Sequence, residues 1–396
     1  MDKLLPYQLE GARFLSVRKA ALLADEMGLG KTVQAITACD CVDAKLVTVV
    51  CPAIAQENWR REFERWSRTR IRPFIFSYEK ATRLASTMHE MDALILDESQ
   101  YLKTPTAKRT LAILGKGGLR DKTKRIWMLS GTPMPNHPGE LWTMLRVFGR
   151  TPMDYMSFIA KFCEFAVGKG PSSGMMQIVG AKKAMIPELK ELLQPITLRR
   201  TKADKLDLPP MMFSDIVVKP GKVNFSPEDL QKLERETALL KEFFPVHLSD
   251  AEKLRVLESL AGSVATLRRY NGLKKVQPTI DLISSELETK LYAKIVVFAI
   301  HREVVQTIAC ELRMRGYGTV VLQGGMTDVS RNENIDEFQN NSRVRVCVAN
   351  IRAAGTAVTL TASDQVLFVE QEWTPAENAQ AAARLHRIGQ KRPVTA

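Results

Sequence analysis

The run Ala24-Asp25-Glu26-Met27-Gly28-Leu29-Gly30-Lys31-Thr32 carries the residue types that a phosphate group needs. Gly28 and Gly30 let the chain curl round an anion, and backbone N–H groups at the start of the helical stretch 33–38 point at it. Lys31 neutralises the outer phosphates, and the Thr32 hydroxyl ligates magnesium. Asp25 stands where the strict pattern has its first glycine, so a bland Gly-Lys-Thr turn stays open for this segment taken alone. Asp97 and Glu98 follow an apolar stretch, residues 93–96. There Asp97 would hold magnesium while Glu98 orients and deprotonates an attacking water, although an Asp-Glu pair taken singly is an ordinary solvated turn. Gln380-Ala381-Ala382-Ala383-Arg384-Leu385-His386-Arg387-Ile388-Gly389-Gln390 supplies positive charge late in the chain. Three apart, Arg384 and Arg387 fall on one face of a helix. Its alanines would let that helix pack closely and aim both arginines at a developing negative charge; the alternative is a basic solvated face.

These groups must be positioned by rigid elements. Short apolar runs rich in β-branched residues, at 20–24, 46–51, 74–76, 93–96 and 126–129, alternate with helical stretches and read as buried parallel strands. A second series at 295–299, 319–322, 344–348 and 366–369 repeats the pattern. The expected fold is α/β with two doubly wound lobes, residues 1–204 and 205–396. Residues 168–174 read as a flexible loop, and Leu208-Pro209-Pro210 as a stiff crossing. Ser226-Pro227-Glu228-Asp229 reads as the start of a helix reaching residue 244, with Pro at its first position and acid in its first turn.

Composition excludes several classes. With 396 residues, 45% hydrophobic and 26% charged, the chain is an ordinary globular one, and no run approaches the ~18 apolar residues of a membrane span. Nothing at the amino terminus resembles a signal peptide, so the expected location is cytoplasmic, nucleoid-associated, or nuclear in a eukaryote. A net charge of +13 favours a polyanionic partner. The six cysteines (39, 41, 51, 163, 310 and 347) lack metal-ligand spacing and read as reduced thiols in apolar niches.

Taken together and in this order, the motifs resemble those of helicase superfamily-two ATPases of the SWI/SNF type. Leu4-Leu5-Pro6-Tyr7-Gln8-Leu9-Glu10-Gly11 is similar to the family's adenine-recognition segment, Leu129-Ser130-Gly131-Thr132-Pro133-Met134-Pro135-Asn136 to its coupling motif, and Arg199-Arg200-Thr201-Lys202 to its lobe-one exit. Residues 384–390 resemble its arginine-finger motif, and 267–275 a segment of the branch that includes HARP-type annealing helicases. The resemblance implies two tandem RecA-like lobes with a nucleotide cleft between them, using ATP and Mg2+. It assigns nucleotide contacts to Gln8, Asp25, Gly28, Gly30, Lys31, Thr32, Asp97 and Gln380, with Thr32 and Asp97 on magnesium and Lys31, Glu98, Arg384 and Arg387 catalytic.

It also implies double-stranded DNA as the partner of a monomeric motor, contacted by Pro52, Asn58, Trp59, Ser77 and Tyr78 from one lobe and Gly324, Gly325, Asn350 and Arg352 from the other. By helical spacing Arg60, Arg61 and Arg65 are phosphate candidates or a solvated face, while Trp59, Phe63 and Trp66 have the spacing of a core stripe. Trp373 is either a DNA contact or a core residue. Three departures stand out: Gln100 in place of the family's His, Ala354 and Ala357 in place of glycines, and Thr374 in the family's Trp-Asn-Pro. The family normally continues past Arg387, which implies a second lobe cut short at its C-terminus. The function so implied is an ATP-driven duplex-DNA translocase; a strand-separating DNA or RNA helicase and a nucleotide-gated DNA-binding module with vestigial ATPase are the alternatives.

Overall fold

The computed structural model describes residues 4–167, 176–223, 225–243, 261–354 and 358–396. Two compact units emerge, one of residues 1–166 and 178–208, the other of 167–177 and 209–396. The loop expected at 168–174 lies outside the described residues, as does Ala357.

In the first unit, helix α1 (Pro6–Ser16) precedes β1 (Ala20–Leu23), α2 (Lys31–Cys41), β2 (Val47–Cys51), α3 (Gln56–Trp66) and β3 (Phe74–Ser77). Then come β4 (Ala93–Asp97), β5 (Ile126–Leu129) and the short β8 (Thr197–Leu198), while β6 (Cys163–Val167) and β7 (Met176–Ala181) form a separate two-stranded sheet. The main sheet runs β3-β2-β4-β5-β1-β8, and its paired strands are parallel, with Leu22 opposite Met128 and Thr48 opposite Leu94. Burial at every position of β2 and β5 explains why they read as unbroken apolar runs: both faces are covered. Parallel strands put all their C-terminal ends on one edge, the edge that receives Gly30-Lys31 and Asp97-Glu98.

The second unit carries β9 (Met211–Met212), β10 (Ile295–Ala299), β11 (Gly318–Leu322), β12 (Val344–Asn350), β13 (Gln365–Phe368) and β14 (Val394–Thr395), in the order β11-β12-β10-β13-β14-β9. Alternation splits β10 between two cores. Ile295, Val297 and Ala299 meet Ile280, Ile283 and Ile308 on one face, and Val296 and Phe298 meet Leu322, Phe338 and Leu385 on the other. The expected helix from Ser226 occurs as Pro227–Phe243. Four cysteines are buried as expected, but Cys41 and Cys310 are exposed.

Candidate nucleotide and nucleic-acid site

β1 hands the chain to the glycine-rich loop. Gly28 (φ 89°) and Gly30 (φ 75°) both take the left-handed conformation that side chains resist. Gly30 caps α2, and a Cβ there would meet Gln8 Nε2 at 2.6 Å. Gln8 is therefore packed onto the loop, its Oε1 accepting from Leu5 N at 2.9 Å, while Tyr7 OH donates to Leu29 O at 3.1 Å. Lys31 Nζ donates to the carbonyls of Asp25 (2.8 Å) and Glu26 (3.4 Å), which hold the ammonium over the mouth of the loop. The Ser130-Gly131-Thr132 turn approaches from β5 so closely that a Cβ on Gly131 would lie 3.6 Å from Lys31 Nζ.

Asp25 has a different role from the one expected. It is fully buried and gripped by Arg200 through Nε (3.0 Å) and Nη2 (2.5 Å), with Gln34 Nε2 donating to it at 3.0 Å. Arg200 also donates to Gln34 Oε1 (2.7 Å) and to the Tyr7 carbonyl. A buried carboxylate needs such a partner, and this one ties the loop to α1, α2 and the segment after β8. Asp25 is thus a brace rather than a nucleotide ligand.

At the end of β4, Asp97 Oδ2 accepts from Trp59 Nε1 at 2.8 Å, and Tyr78 OH donates to the Asp97 carbonyl at 2.7 Å. Burial, with the neighbouring Glu98 charge, pushes the Asp97 carboxyl up to about 6, against the Trp59 hydrogen bond and Lys31, which pull it down. Glu98 sits at φ 51°, a left-handed position, and Gln100 Nε2 donates to its Oε2 at 2.7 Å. Ser130 Oγ donates to Gln100 Oε1 at 2.7 Å and accepts from Thr132 N at 3.1 Å. Gln100 therefore links the acidic pair to the turn beside Lys31. Glu140 extends the support, accepting from Asn136 N (2.8 Å) and Lys103 Nζ (2.5 Å).

Trp59 and Tyr78, expected as DNA contacts, are each 1% exposed and serve Asp97 instead. Ser77 is buried too, its hydroxyl capping the helix Tyr78–Leu84 through Lys80 N. Pro52 is buried at the start of a short 3-10 turn, Asn58 is half-buried and Arg60 is exposed beside Glu57. The expected core stripe holds for Trp59 and Phe63, whereas Trp66 is only partly covered.

In the second unit, Gly324 and Gly325 (φ 86°) are exposed beyond β11, with Arg302 donating to the Gly324 carbonyl at 2.9 Å. Asn350 ends β12, its Oδ1 accepting from Arg352 N at 3.1 Å. The Arg352 guanidinium pairs with buried Glu372 at 2.9 Å, and Trp373 is 59% exposed under the Arg268 guanidinium at 4.4 Å. The parallel order gathers the ends of β11 and β12 on one edge. Gln380 lies on the helix Pro375–Ala382, but Arg384 and Arg387 do not share a helical face with each other, because that helix stops at Ala382. Leu385 turns into the core, Leu360 N takes the Arg384 carbonyl, and Gln390 Nε2 donates to the carbonyls of Leu385, Thr361 and Ser363. Those captured carbonyls end the helical ladder and fix both arginines in a packed turn.

Of the residues that brace the site, Ser130, Arg200 and Gln390 sit within the recognised motifs and Gln34 just past the phosphate loop, and none was assigned a contact. One signal was present for Arg200: an acid in a glycine position after a buried strand calls for a cation.

Comparison with known proteins completes the picture. An SNF2-related domain model matches residues 7–91 and 75–226, and a helicase conserved C-terminal domain model matches 274–389. The Caenorhabditis elegans homolog of SWI/SNF-related matrix-associated actin-dependent regulator of chromatin subfamily A-like protein 1 is 29% identical over 99% of this chain and 57% of its own length. Human DNA annealing helicase and endonuclease ZRANB3 is 27% identical over 98% of this chain and 37% of its own length. The chain thus spans little more than half, or less, of the curated relatives it matches. The Sulfolobus solfataricus SWI2/SNF2 ATPase core in complex with dsDNA aligns with a TM-score of 0.46 at 24% identity, covering 100% of this chain and 87% of that one. The SNF2-related match alone takes in more than half of the sequence, and the chain belongs to the SNF2-related family.

Proposed function

We propose that this chain hydrolyses ATP to move along double-stranded DNA. The observation that carries the reading is the hydrogen-bonded line Glu98–Gln100–Ser130, which joins the acidic end of β4 to the turn beside Lys31. Lys31 exchanges its two loop carbonyls for phosphate oxygens, while Gly28, Gly30 and the first N–H groups of α2 enclose the phosphates. Thr32 and Asp97 suit a magnesium ion: one is a hydroxyl at the helix start, the other a carboxylate whose charge burial disfavours until a cation arrives. When bound, the ion supplies charge neutralisation to the phosphates. Glu98, held by Gln100, orients the attacking water and takes its proton.

The coupling line explains why hydrolysis would be felt outside the site, since a change at Glu98 moves the Ser130–Asn136 turn. Residues 1–204 supply the nucleotide-binding lobe and 205–396 the second lobe, whose Gln380, Arg384 and Arg387 serve the nucleotide and the charge that develops on its phosphates. DNA phosphates meet Asn58 and Arg60 on one lobe and Gly324, Gly325, Asn350, Arg352 and Trp373 on the other, contacts that position without reading sequence. The relatives' names, an annealing helicase and a chromatin regulator, support a DNA substrate. The proposed motor acts as a monomer.

The test is ATP turnover by the whole chain with duplex DNA, single-stranded DNA and RNA, alongside Glu98→Gln. Duplex DNA should stimulate most, and the variant should lose turnover while retaining ATP binding. Stimulation by RNA or single strands alone would sink the duplex reading.

A further inference from the structure

A second site lies on the first unit at the opposite end of its sheet from the nucleotide loop. Between the C-terminal half of α3, the loop 67–73 and the start of β3 there is a cavity of about 570 Å3. Phe63, Ile71 and Ile75 line its apolar interior, and Arg60, Arg70 and Arg72 stand on its walls with Glu64.

The loop is built rather than slack. Asp40, in the last turn of α2, accepts four hydrogen bonds from it: Ser67 Oγ (3.0 Å), Arg68 N (2.8 Å), Thr69 N (3.3 Å) and Thr69 Oγ1 (2.6 Å). Ser67 Oγ then accepts from Ile71 N at 3.1 Å, and Arg70 is held at φ 53°, where a non-glycine residue is uncommon. Arg68, Arg70 and Arg72 alternate along this braced segment and are exposed, and among the described residues none of the three side chains has an ion pair or hydrogen bond. β3 is the outermost strand of its sheet, with Phe74 56% exposed beside the cavity.

We infer that this cavity docks an acidic segment of a partner protein carrying one bulky apolar side chain. The apolar well takes the anchor, and Arg70 and Arg72 take the flanking carboxylates by charge-assisted hydrogen bonds. Its size falls in the range of roughly 300–1,000 Å3 typical of ligand-holding pockets. Nucleic acid fits less well, because phosphates need no apolar well. The outermost strand adds an edge along which an extended peptide can pair.

The probe is a fluorescein-labelled ten-residue peptide of aspartate and glutamate with one central tryptophan, titrated with the whole chain and read by anisotropy. Its counterpart carries alanine at the centre, and a labelled DNA duplex is the third ligand. The variant Arg70→Asn/Arg72→Gln keeps a residue that tolerates the left-handed position. Saturable binding of the tryptophan peptide is expected, about tenfold weaker for the alanine peptide and at least tenfold weaker for the variant, with duplex affinity and ATP turnover unchanged. Equal binding of the two peptides to the unaltered chain overturns the proposal without recourse to any variant. So does a variant that keeps its peptide affinity, or one that loses duplex affinity instead, which would make the surface a nucleic-acid contact.

Discussion

Replacing Arg200 by alanine leaves the Asp25 carboxylate fully buried with only Gln34 still donating to it. Arg200 itself is 7% exposed and makes two hydrogen bonds to Asp25, one to Gln34 and one to the Tyr7 carbonyl. Removing one partner of a buried pair costs about 3–5 kcal/mol, because the other charge stays desolvated and uncompensated. At about 2–4 °C per kcal/mol for a lobe of this size, that lowers the first unit's thermal midpoint by about 6–20 °C. The same reasoning says that restoring the strict phosphate-loop pattern with Asp25→Gly should harm the protein, since it strands Arg200. The double variant Asp25→Gly/Arg200→Ala removes both charges, and its loss should fall short of the summed single losses by about 1–3 kcal/mol. The assay is calorimetric unfolding of the four proteins of this cycle, with ATP affinity measured on each. An Arg200→Ala loss below about 1 kcal/mol, or strict additivity across the cycle, refutes the brace.

Two further outcomes follow from the site and its neighbour. Gln100→Ala breaks the link between Glu98 and Ser130, so kcat should fall by about tenfold to a hundredfold with KM for ATP little changed; steady-state kinetics check it, and turnover near the unaltered level removes the coupling role. In the second unit, burial pushes the Glu370 carboxyl up, but the His301 side chain and the backbone N–H groups of His301 and Ile300 outweigh it and bring the group below its usual value. A depressed carboxyl stabilises the fold above its unfolded value, about 4.3, and that contribution is lost as pH falls through the folded value. Chemical unfolding between pH 6 and 3 should therefore show a loss on acidification that Glu370→Gln lacks, and an unchanged slope in the variant would count against the pairing.

The long parallel strands were legible because burial on both faces leaves unbroken apolar runs, as at β2 and β10. β8, β9 and β14 were not, since two residues carry no periodicity and their pairing is decided by what the rest of the sheet offers. At the site, the placing of Gly28, Gly30 and Lys31 at a helix start and of Asp97-Glu98 at the end of a buried strand could be read, because apolar runs mark the strands that lead into them. Asp25 and Tyr78 could not be read correctly, and Trp59 was legible as a core residue but not as the partner of Asp97. Their place in the motif is local, whereas their roles depend on partners such as Arg200 and Asp97 far along the chain. The alanines before Arg384 suggested a continuing helix; Leu385 and Gln390 end it through contacts that no helical period reveals.

Displacement of a third strand from a DNA triplex measures motion along duplex DNA without requiring strand separation. With ATP and magnesium, the chain should displace a labelled third strand from an intact duplex, more slowly as the duplex track ahead of it is lengthened. Glu98→Gln should bind the same DNA and displace nothing. Duplex-stimulated ATP turnover with the third strand left in place, whatever the track length, would contradict the account.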